Sequence, residues 1–565
     1  MSTTAIAPGS QKSESKGLKG GALGLVGSVV IGIASTAPAY SLAATLGFVV
    51  ATGAGFKAPA IMLLAFIPMY FIAVAYKELN EAEPDFGTTF TWATRAFGPV
   101  VGWMGGWGII VSDVIVMANL AQIAGQYSFS LANELGIHNS LAASTGWSTT
   151  AGIIWIALMT YICYRGIEIS ARIQYALLGI EIVTLVTFAV VALAKVYSGH
   201  SPHGSVHPSL SWLWPSGMSM SVMASAVLLA VFIYWGWDTA VATNEEADEP
   251  GRTPGRAAVM STVLLLLIYV LISVATVAFA GTGSSGIGLG NQNNATDVFT
   301  AIGPTLYGHS WIGHVGLTLL AISILTSSAA STQTTILPTA RTALSMGVYR
   351  AIPAKFARIH KKYLTPTWAT IGMGLVSIAF YLLITVISQN LLNALIGAIG
   401  LQIAFYYGLT GFACVWFYRH SFRESLRHVF VRGIIPLVGG VFLLVMFVYA
   451  VKTYAAADYL TDNSGKNVTI FGLGAVAVVG IVSLLFGFVF LAIQWLTAPD
   501  YFQGKTLPQS SHRDLVLADG QPDVHGHVRL PDVTEYTVIA PDLSNLPPGA
   551  TALDPQTGQQ IHRNE

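Results

Sequence analysis

The sequence predicts an all-α polytopic membrane protein with about twelve transmembrane helices, and three observations lead to this fold class. Charged residues make up 10% of the 565 residues, apolar residues make up 53%, and mean hydropathy is +0.62. This number of charges cannot cover a water-soluble globule of this size. A large part of the apolar surface must therefore face lipid. The apolar residues are grouped in long runs, and the basic residues are unevenly distributed between the runs.

A helix needs about 20 mostly apolar residues to cross a bilayer, and twelve runs meet this requirement. The predicted spans are residues 23–49, 58–79, 98–130, 148–164, 172–196, 219–245, 257–281, 311–338, 367–388, 391–418, 434–454 and 469–497. The first run is too long for the core of a signal peptide, so we interpret it as an uncleaved first span.

The basic residues predict the orientation. With the N-terminus in the cytoplasm, only four basic residues fall outside, and these are Lys57, Lys195, Lys452 and Lys466. The other lysines and arginines are then cytoplasmic, as the positive-inside rule requires. This predicts a multi-pass protein of the cell membrane with both termini in the cytoplasm.

Composition divides the chain into three parts. Residues 1–20 form a polar, cytoplasmic N-terminal segment, and residues 21–497 form the twelve-helix domain. Residues 498–565 are rich in proline and polar residues, which predicts a disordered cytoplasmic tail.

The composition also argues against several partners. Basic and acidic residues are equal in number, 27 each, so we expect no nucleic-acid partner. The two cysteines, Cys163 and Cys414, are far apart, and the tail histidines are irregularly spaced. The sequence therefore predicts no metal site, no disulfide framework and no cofactor.

Helix-breaking residues occur in two spans that lie five spans apart. Span 1 contains Gly32 and Pro38, and span 6 contains Gly236 followed by Asp238. This spacing is expected if spans 1–5 and 6–10, about residues 21–198 and 215–420, are inverted repeats. The half-helices at such breaks would offer backbone N–H groups to a carboxylate. Alternatively, glycine and proline mark only kinks or close packing in membrane helices.

Three carboxylic acids lie within predicted spans, at a cost of about 2.5–3.5 kcal/mol each on insertion scales. They are Asp113, Glu181 and Asp238. We expect Asp238 to cap the second half of span 6 by accepting from the N–H of Ala240 or Val241. Glu181 has no nearby break to cap, so it is either a proton carrier or a buried neutral group. Asp113 is a second proton site, a counter-charge for a substrate ammonium, or a hydrogen-bonding partner of a neighbouring helix.

Span 8 carries a series of hydroxyl groups. Ser327, Ser328 and Thr332 are candidates for a cation-like site opposite span 1. Serine and threonine also join membrane helices by ordinary hydrogen bonds, which is the alternative interpretation.

With these residues described, the chain resembles the amino acid–polyamine–organocation (APC) superfamily of permeases, of bacterial type, over roughly residues 20–500. Four stretches carry the resemblance: Ile31-Gly32, Glu78-Leu79 through Gly106-Trp107, Gly236-Trp237-Asp238 through Arg256, and Ala340-Arg341 through Thr365-Pro366. The resemblance implies a LeuT-type fold, with two inverted five-helix repeats and two extra helices over residues 434–497.

The resemblance also implies a substrate site at the membrane midplane between spans 1, 3, 6 and 8. The backbone of Gly32, Ile33, Ala34, Ser35 and Thr36 would receive a substrate carboxylate. Tyr234, Trp235, Gly236, Trp237 and Asp238 would receive the amino group and gate the site, while Asp113 and Met117 would line it. Glu181 falls where several relatives keep a lysine linked to proton coupling.

These features predict a secondary active transporter that moves an amino acid across the cytoplasmic membrane by alternating access, coupled to H+, with Na+ as the alternative ion. The alternatives are a carrier or exchanger of polyamines or other cationic amines, and a non-transporting membrane sensor. A membrane-embedded enzyme, such as an aspartyl protease using Asp113 and Asp238, is disfavoured, because the sequence has no Gly-x-Gly-Asp or His-Glu-x-x-His motif. The expected partners are therefore a small molecule, a coupling ion and the lipid bilayer.

Overall fold

The apolar runs form helices in the computed structural model, which describes residues 16–137, 139–308, 310–387, 389–461, 466–514, 551–553 and 560–562. A helix bonds its backbone N–H and C=O groups internally, which a segment in lipid requires. Within the described residues, ten stretches are long and apolar enough to cross a membrane. One of them, Leu25–Ala82, contains spans 1 and 2, and the shorter helix Met220–Ile233 opens span 6. The all-α polytopic fold is thus confirmed.

The spans follow the predicted order. Span 1 comprises Leu25–Ser35 and Pro38–Val49, and span 6 comprises Met220–Ile233 and Thr239–Ala242. Spans 2 to 5 are Ala58–Ala82, Pro99–Glu134, Thr145–Arg165 and Ile167–Tyr197. Spans 7 to 12 are Thr253–Ala280, Trp311–Val348, Thr367–Ile387, Gln389–Tyr418, Ile435–Tyr454, and Ala475–Leu485 with Gly487–Thr497.

Short elements join the spans. The connecting helices are Thr89–Phe97, Val298–Tyr307 and Leu426–His428. Two antiparallel strand pairs occur, Thr469–Ile470 with Leu473–Gly474 and Thr551–Leu553 with Gln560–His562.

Span 8 is longer than predicted. The sequence placed its end at residue 338, where apolar residues give way to polar ones, but the helix continues to Val348. The added turns are buried by protein, and Arg341 lies among them with 1% of its side chain exposed. Its guanidinium pairs with the carboxylate of Glu246 at 2.8 Å. Because the charge is neutralised inside the protein, the helix continues past it.

The divided spans 1 and 6 pack against each other and against undivided spans. The first half of span 1 contacts spans 5, 7 and 8, and the second half contacts the start of span 6. The long spans 3 and 8 pack together beside them. The two breaks therefore lie inside the helix bundle, away from lipid.

The beginning of the predicted disordered tail is ordered. Residues 498–514 pack on one face of the molecule, where the buried Tyr501 hydroxyl bonds to Thr94 at 2.7 Å. Residues 16–24 lie on the same face. Lys16 contacts Asp85, and Tyr349 bonds both to Asp85 and to Thr506 of the tail. We call it the terminal face. The rest of the predicted tail, apart from the strand pair at 551–562, lies outside the described residues, as do residues 1–15.

Candidate functional site

The break in span 1 lies at residues 36–37. Pro38 has no N–H and restricts the residue before it, and Ala37 takes a left-handed conformation with φ of 46°. The first half of the span stays helical through Ser35, so the interruption predicted between Gly32 and Pro38 falls at the end of that stretch, and Gly32, Ile33 and Ala34 lie within the helix. The proline, and not the glycine, positions the break.

The break in span 6 covers residues 234–238 and lies against the break in span 1. Gly236 has φ of 117°, a conformation that side chains disfavour. A Cβ atom at Gly236 would lie 2.7 Å from the carbonyl oxygen of Ser35, so the two backbones are in direct contact. The Ser35 and Thr239 hydroxyls share a hydrogen bond of 2.8 Å.

Glu181 of span 5 caps the second half of span 1. Its Oε1 accepts a hydrogen bond from the Ala39 N–H at 2.6 Å and another from the Ser327 hydroxyl at 2.7 Å. The Ser327 oxygen in turn accepts from the Tyr40 N–H at 3.2 Å. The prediction that Glu181 has no break to cap is therefore wrong, and the expected bare N–H groups of this half-helix have partners. A carboxylate at this position is favoured by the positive end of the helix.

Asp238 does not act as the predicted cap. Its carboxylate accepts from the hydroxyls of Tyr407 at 2.8 Å and Tyr406 at 3.1 Å, both in span 10. The N–H groups of Ala240 and Val241 bond instead to backbone carbonyls one turn earlier. The turn satisfies its own amides, so the carboxylate is free to join span 6 to span 10.

Asp113 of span 3 joins a neighbouring helix, which is one of its three predicted roles. Its Oδ2 accepts a hydrogen bond of 2.5 Å from the hydroxyl of Thr339 in span 8. The Asp113 side chain is buried, and so is Met117 one turn further along span 3.

The predicted cation-like site of three hydroxyl groups does not assemble. Only Ser327 faces the break, whereas Ser328 and Thr332 bond to carbonyls of their own helix at 2.8 Å. Ser331 reaches the break instead, because its hydroxyl donates to the Ser35 carbonyl at 2.9 Å. A serine or threonine hydroxyl can bond to a carbonyl of its own helix or to a neighbouring helix. The residue type alone does not show which of the two bonds forms.

Aromatic residues surround the span 6 break. Trp237 packs against Tyr76 and Tyr407, with ring centroids 5.1 and 5.0 Å away. The indole N–H of Trp235 donates to the Tyr406 hydroxyl, and the Tyr234 hydroxyl donates to a carbonyl of span 2 at 3.1 Å. Within the described residues, the buried indole N–H of Trp237 has no hydrogen-bond partner.

Sequence reasoning missed Tyr76, Tyr406 and Tyr407 of this site. Tyr406 and Tyr407 stand side by side in an apolar run, and a pair of buried hydroxyls is the only signal that they gave. Tyrosine is common in membrane helices, so the signal was weak without knowledge of which helices meet.

Buried ion pairs join the elements of the terminal face. The Lys16 ammonium lies 2.8 Å from Asp85 and 2.7 Å from Glu245, and its side chain is only 7% exposed. Burial alone would raise the pKa of the Asp85 carboxyl, but the Lys16 ammonium beside it holds that pKa below its ordinary value. This clasp joins the N-terminal segment to the linker between spans 2 and 3 and to the segment after span 6.

A comparison with protein families accounts for this arrangement. The model of the amino acid permease family matches residues 21–476. The chain is a member of the amino acid permease family. Membership places this permease in the APC superfamily, and its ten long apolar stretches within the described residues make it a multi-pass membrane protein.

Curated relatives of this permease differ in what they carry. The branched-chain amino acid permease BcaP of Lactococcus lactis subsp. cremoris is 26% identical over 36% of this chain and 45% of that protein. The arginine/ornithine antiporter of Latilactobacillus sakei is 25% identical over 73% of this chain and 84% of the antiporter. The methylthioribose transporter of Bacillus subtilis is 25% identical over 36% of this chain and 43% of that transporter. The match thus spans less than half of two of these three relatives.

Proposed function

We propose that this permease is a secondary active transporter that moves an amino acid across the cytoplasmic membrane by alternating access. The observation that carries the proposal is the buried contact of two helix breaks, where Gly236 lies against the Ser35 carbonyl. Two such breaks can rearrange without disrupting whole helices, because their backbones already lack regular helical bonds. Amino acid carriers among the relatives support the substrate class.

We place the substrate between the two breaks. Its carboxylate would meet the backbone of Ser35, Thr36 and Ala37 once the breaks move apart, because the N–H groups of Thr36 and Ala37 bond to the carbonyls of Ile33 and Ala34 in this structure. Its amino group would meet the carbonyls of residues 234–238. The Trp237 indole N–H and the Glu181 Oε2 atom are buried polar atoms without partners in the described residues. An unmet buried group costs about 1–3 kcal/mol. The indole N–H therefore favours a ligand atom that accepts a hydrogen bond, and the carboxyl oxygen favours a proton or a ligand donor.

We infer that Glu181 couples transport to protons. As a carboxylate it holds the Ala39 N–H by a charge-assisted bond, which is stronger than a neutral one. Protonation removes that charge and weakens the hold on the second half of span 1. A proton bound at Glu181 would therefore favour movement of this half-helix, whereas Na+ coupling would require a cation beside the carboxylate.

A carrier of polyamines or other cationic amines is the second candidate, and one observation favours it. Asp113 and Asp238 are buried carboxylic acids that bond only to hydroxyl groups in the described part of the chain, with no cationic partner. A cationic side chain of the substrate could fill that role. The arginine/ornithine antiporter among the relatives is consistent with this candidate.

Uptake into proteoliposomes tests both candidates. Labelled neutral amino acids, cationic amino acids and polyamines are compared with and without an inward pH gradient, and with a Na+ gradient. Accumulation of an amino acid driven by the pH gradient is expected. Accumulation of polyamines alone would favour the second candidate, and uptake that ignores the pH gradient would contradict proton coupling.

A further inference from the structure

A cavity of about 180 Å³ opens on the terminal face, away from the two helix breaks. It lies where the end of span 2, the start of span 7 and the short helix Leu426–His428 meet. Its lining residues are Lys77, Glu81, Gly251, Arg252, Arg256 and Arg427. Two of these arginines belong to the stretch after span 6 that carries the family resemblance, and nothing in the transport site uses them.

The charge of this cavity is unbalanced. Four of its lining residues are basic and one is acidic. Lys77 pairs with Glu78 at 2.9 Å, but Arg252, Arg256 and Arg427 form no ion pair within the described residues. Three guanidinium groups therefore share the cavity with a single carboxylate, that of Glu81, which forms no ion pair within the described residues.

The walls of the cavity are held by contacts outside its lining. A Cβ atom on Gly255 would lie 2.9 Å from the Cα of Lys77, so spans 7 and 2 touch backbone to backbone. The Asn80 amide donates to the Pro250 carbonyl at 2.8 Å. Arg432, just before span 11, pairs with Glu78 at 2.8 Å and fixes the third wall. A preformed site loses less entropy when it binds a ligand.

We propose that this cavity binds the phosphate group of an anionic ligand and that a phospholipid headgroup of the surrounding membrane supplies it. Guanidinium groups match phosphate oxygens in a bidentate geometry and remain charged at all relevant pH values. The start of span 7 adds the positive end of a 28-residue helix. The cavity lies at the ends of membrane-spanning helices, which is the depth of lipid headgroups, and basic pockets between helices bind such headgroups.

Binding to the purified permease in detergent tests this site. The probes are phosphatidylglycerol, zwitterionic phosphatidylcholine and inorganic pyrophosphate, followed by native mass spectrometry and by the shift in Tm. The pocket variant R256Q/R427Q is compared with R358Q/K361Q, which removes the same charge from exposed basic residues elsewhere on the chain. Each lost cation weakens attraction to an anionic headgroup, so we expect roughly tenfold weaker phosphatidylglycerol binding by the pocket variant. The control should bind like the wild type.

The outcomes separate the two sources of phosphate. Loss of phosphatidylglycerol binding in the pocket variant alone supports the headgroup site. If the wild type binds pyrophosphate but not phosphatidylglycerol, and the pocket variant loses pyrophosphate binding, the cavity is a phosphate site but the lipid is not its source. Equal weakening in both variants, or unchanged binding in R256Q/R427Q, overturns the proposal. If the double variant unfolds, R427Q alone, outside the membrane spans, repeats the comparison.

Discussion

At the scale of single residues, two positions determine how the helix breaks meet. Pro38 places the break in span 1 and leaves the Ala39 N–H as the first free donor, which Glu181 then accepts. Gly236 lets span 6 approach the Ser35 carbonyl more closely than any side chain would allow. Each position acts through elementary stereochemistry, so each can be tested by a single substitution.

The variant Gly236→Ala should fold less stably and lose transport. Its Cβ atom would lie 2.7 Å from the Ser35 carbonyl oxygen, and φ of 117° is unfavourable for alanine. Strain of this kind costs about 1–3 kcal/mol. Thermal unfolding and uptake measure the effect, with Gly179→Ala as control, because a Cβ atom there meets nothing within 4 Å. Wild-type transport by Gly236→Ala would show that the breaks do not need to touch.

The variant Glu181→Gln should transport without responding to a pH gradient. Glutamine keeps a carbonyl oxygen for the Ala39 N–H but cannot exchange a proton. Uptake at several external pH values measures the response. Glu168→Gln, at the exposed start of the same helix, should behave as the wild type. A pH response that survives in Glu181→Gln would place the coupling group elsewhere.

At the scale of elements, residues 16–24 and residues 498–514 hold the terminal face together. Lys16 bridges the linker after span 2 and the segment after span 6, while residues 498–514 lie along the start of span 3 and the end of span 8. Neither segment crosses the membrane. Both connect elements that would move in the proposed alternating-access mechanism.

The variant Lys16→Met should loosen the terminal face. It would leave Asp85 and Glu245 buried without their cation, and removing one partner of a buried ion pair costs about 3–5 kcal/mol. Faster hydrogen exchange is expected in residues 16–24 and in the linker around Asp85. Lys19→Met is the matched control, since Lys19 pairs with Glu168 in an exposed site of little energetic value. Equal exchange in the two variants would argue against the clasp.

Docking of residues 498–514 should weaken as the pH falls. The His512 ring packs against the Tyr418 ring, with ring centroids 4.8 Å apart. Burial lowers the pKa of the His512 imidazole, and the nearby Arg432 cation lowers it further. The undocked segment therefore binds a proton more readily, so docking is lost as the pH falls below the ordinary histidine pKa of 6.5. Limited proteolysis of this segment between pH 7.5 and pH 5.5 measures the loss. His512→Phe keeps the aromatic contact but cannot titrate, so its cleavage should not show this additional dependence on pH.

At the scale of the whole molecule, the proposed mechanism requires spans 1 and 6 to separate and rejoin. The hydroxyl oxygens of Ser35 and Thr239 are 2.8 Å apart across the two breaks, so cysteines at these positions would bring their sulfur atoms close to each other. The double variant S35C/T239C should lose transport on oxidation and regain it on reduction. Each single cysteine variant should be insensitive to the oxidant. Transport by the cross-linked protein would contradict movement between these spans.

The sequence predicted the helices of this permease well and their partners poorly. Twelve apolar runs and the two breaks follow from local properties, namely hydropathy and the stereochemistry of Pro38 and Gly236. The roles of Glu181 and Asp238 were interchanged: Asp238 was expected to cap a break and Glu181 was not, whereas the structure shows the opposite. The orientation, the inverted repeats and the site assignments remain predictions.

By itself, the sequence determined the membrane class, the number and order of spans, the places where two helices stop, and the family. These properties depend on residues near one another in the chain. Only the tertiary structure decided which groups meet at the breaks, because the hydrogen bond between Ala39 and Glu181 joins residues 142 positions apart. A buried polar group must find a partner, but its choice depends on helix rotation and crossing, which the packing of the whole bundle sets.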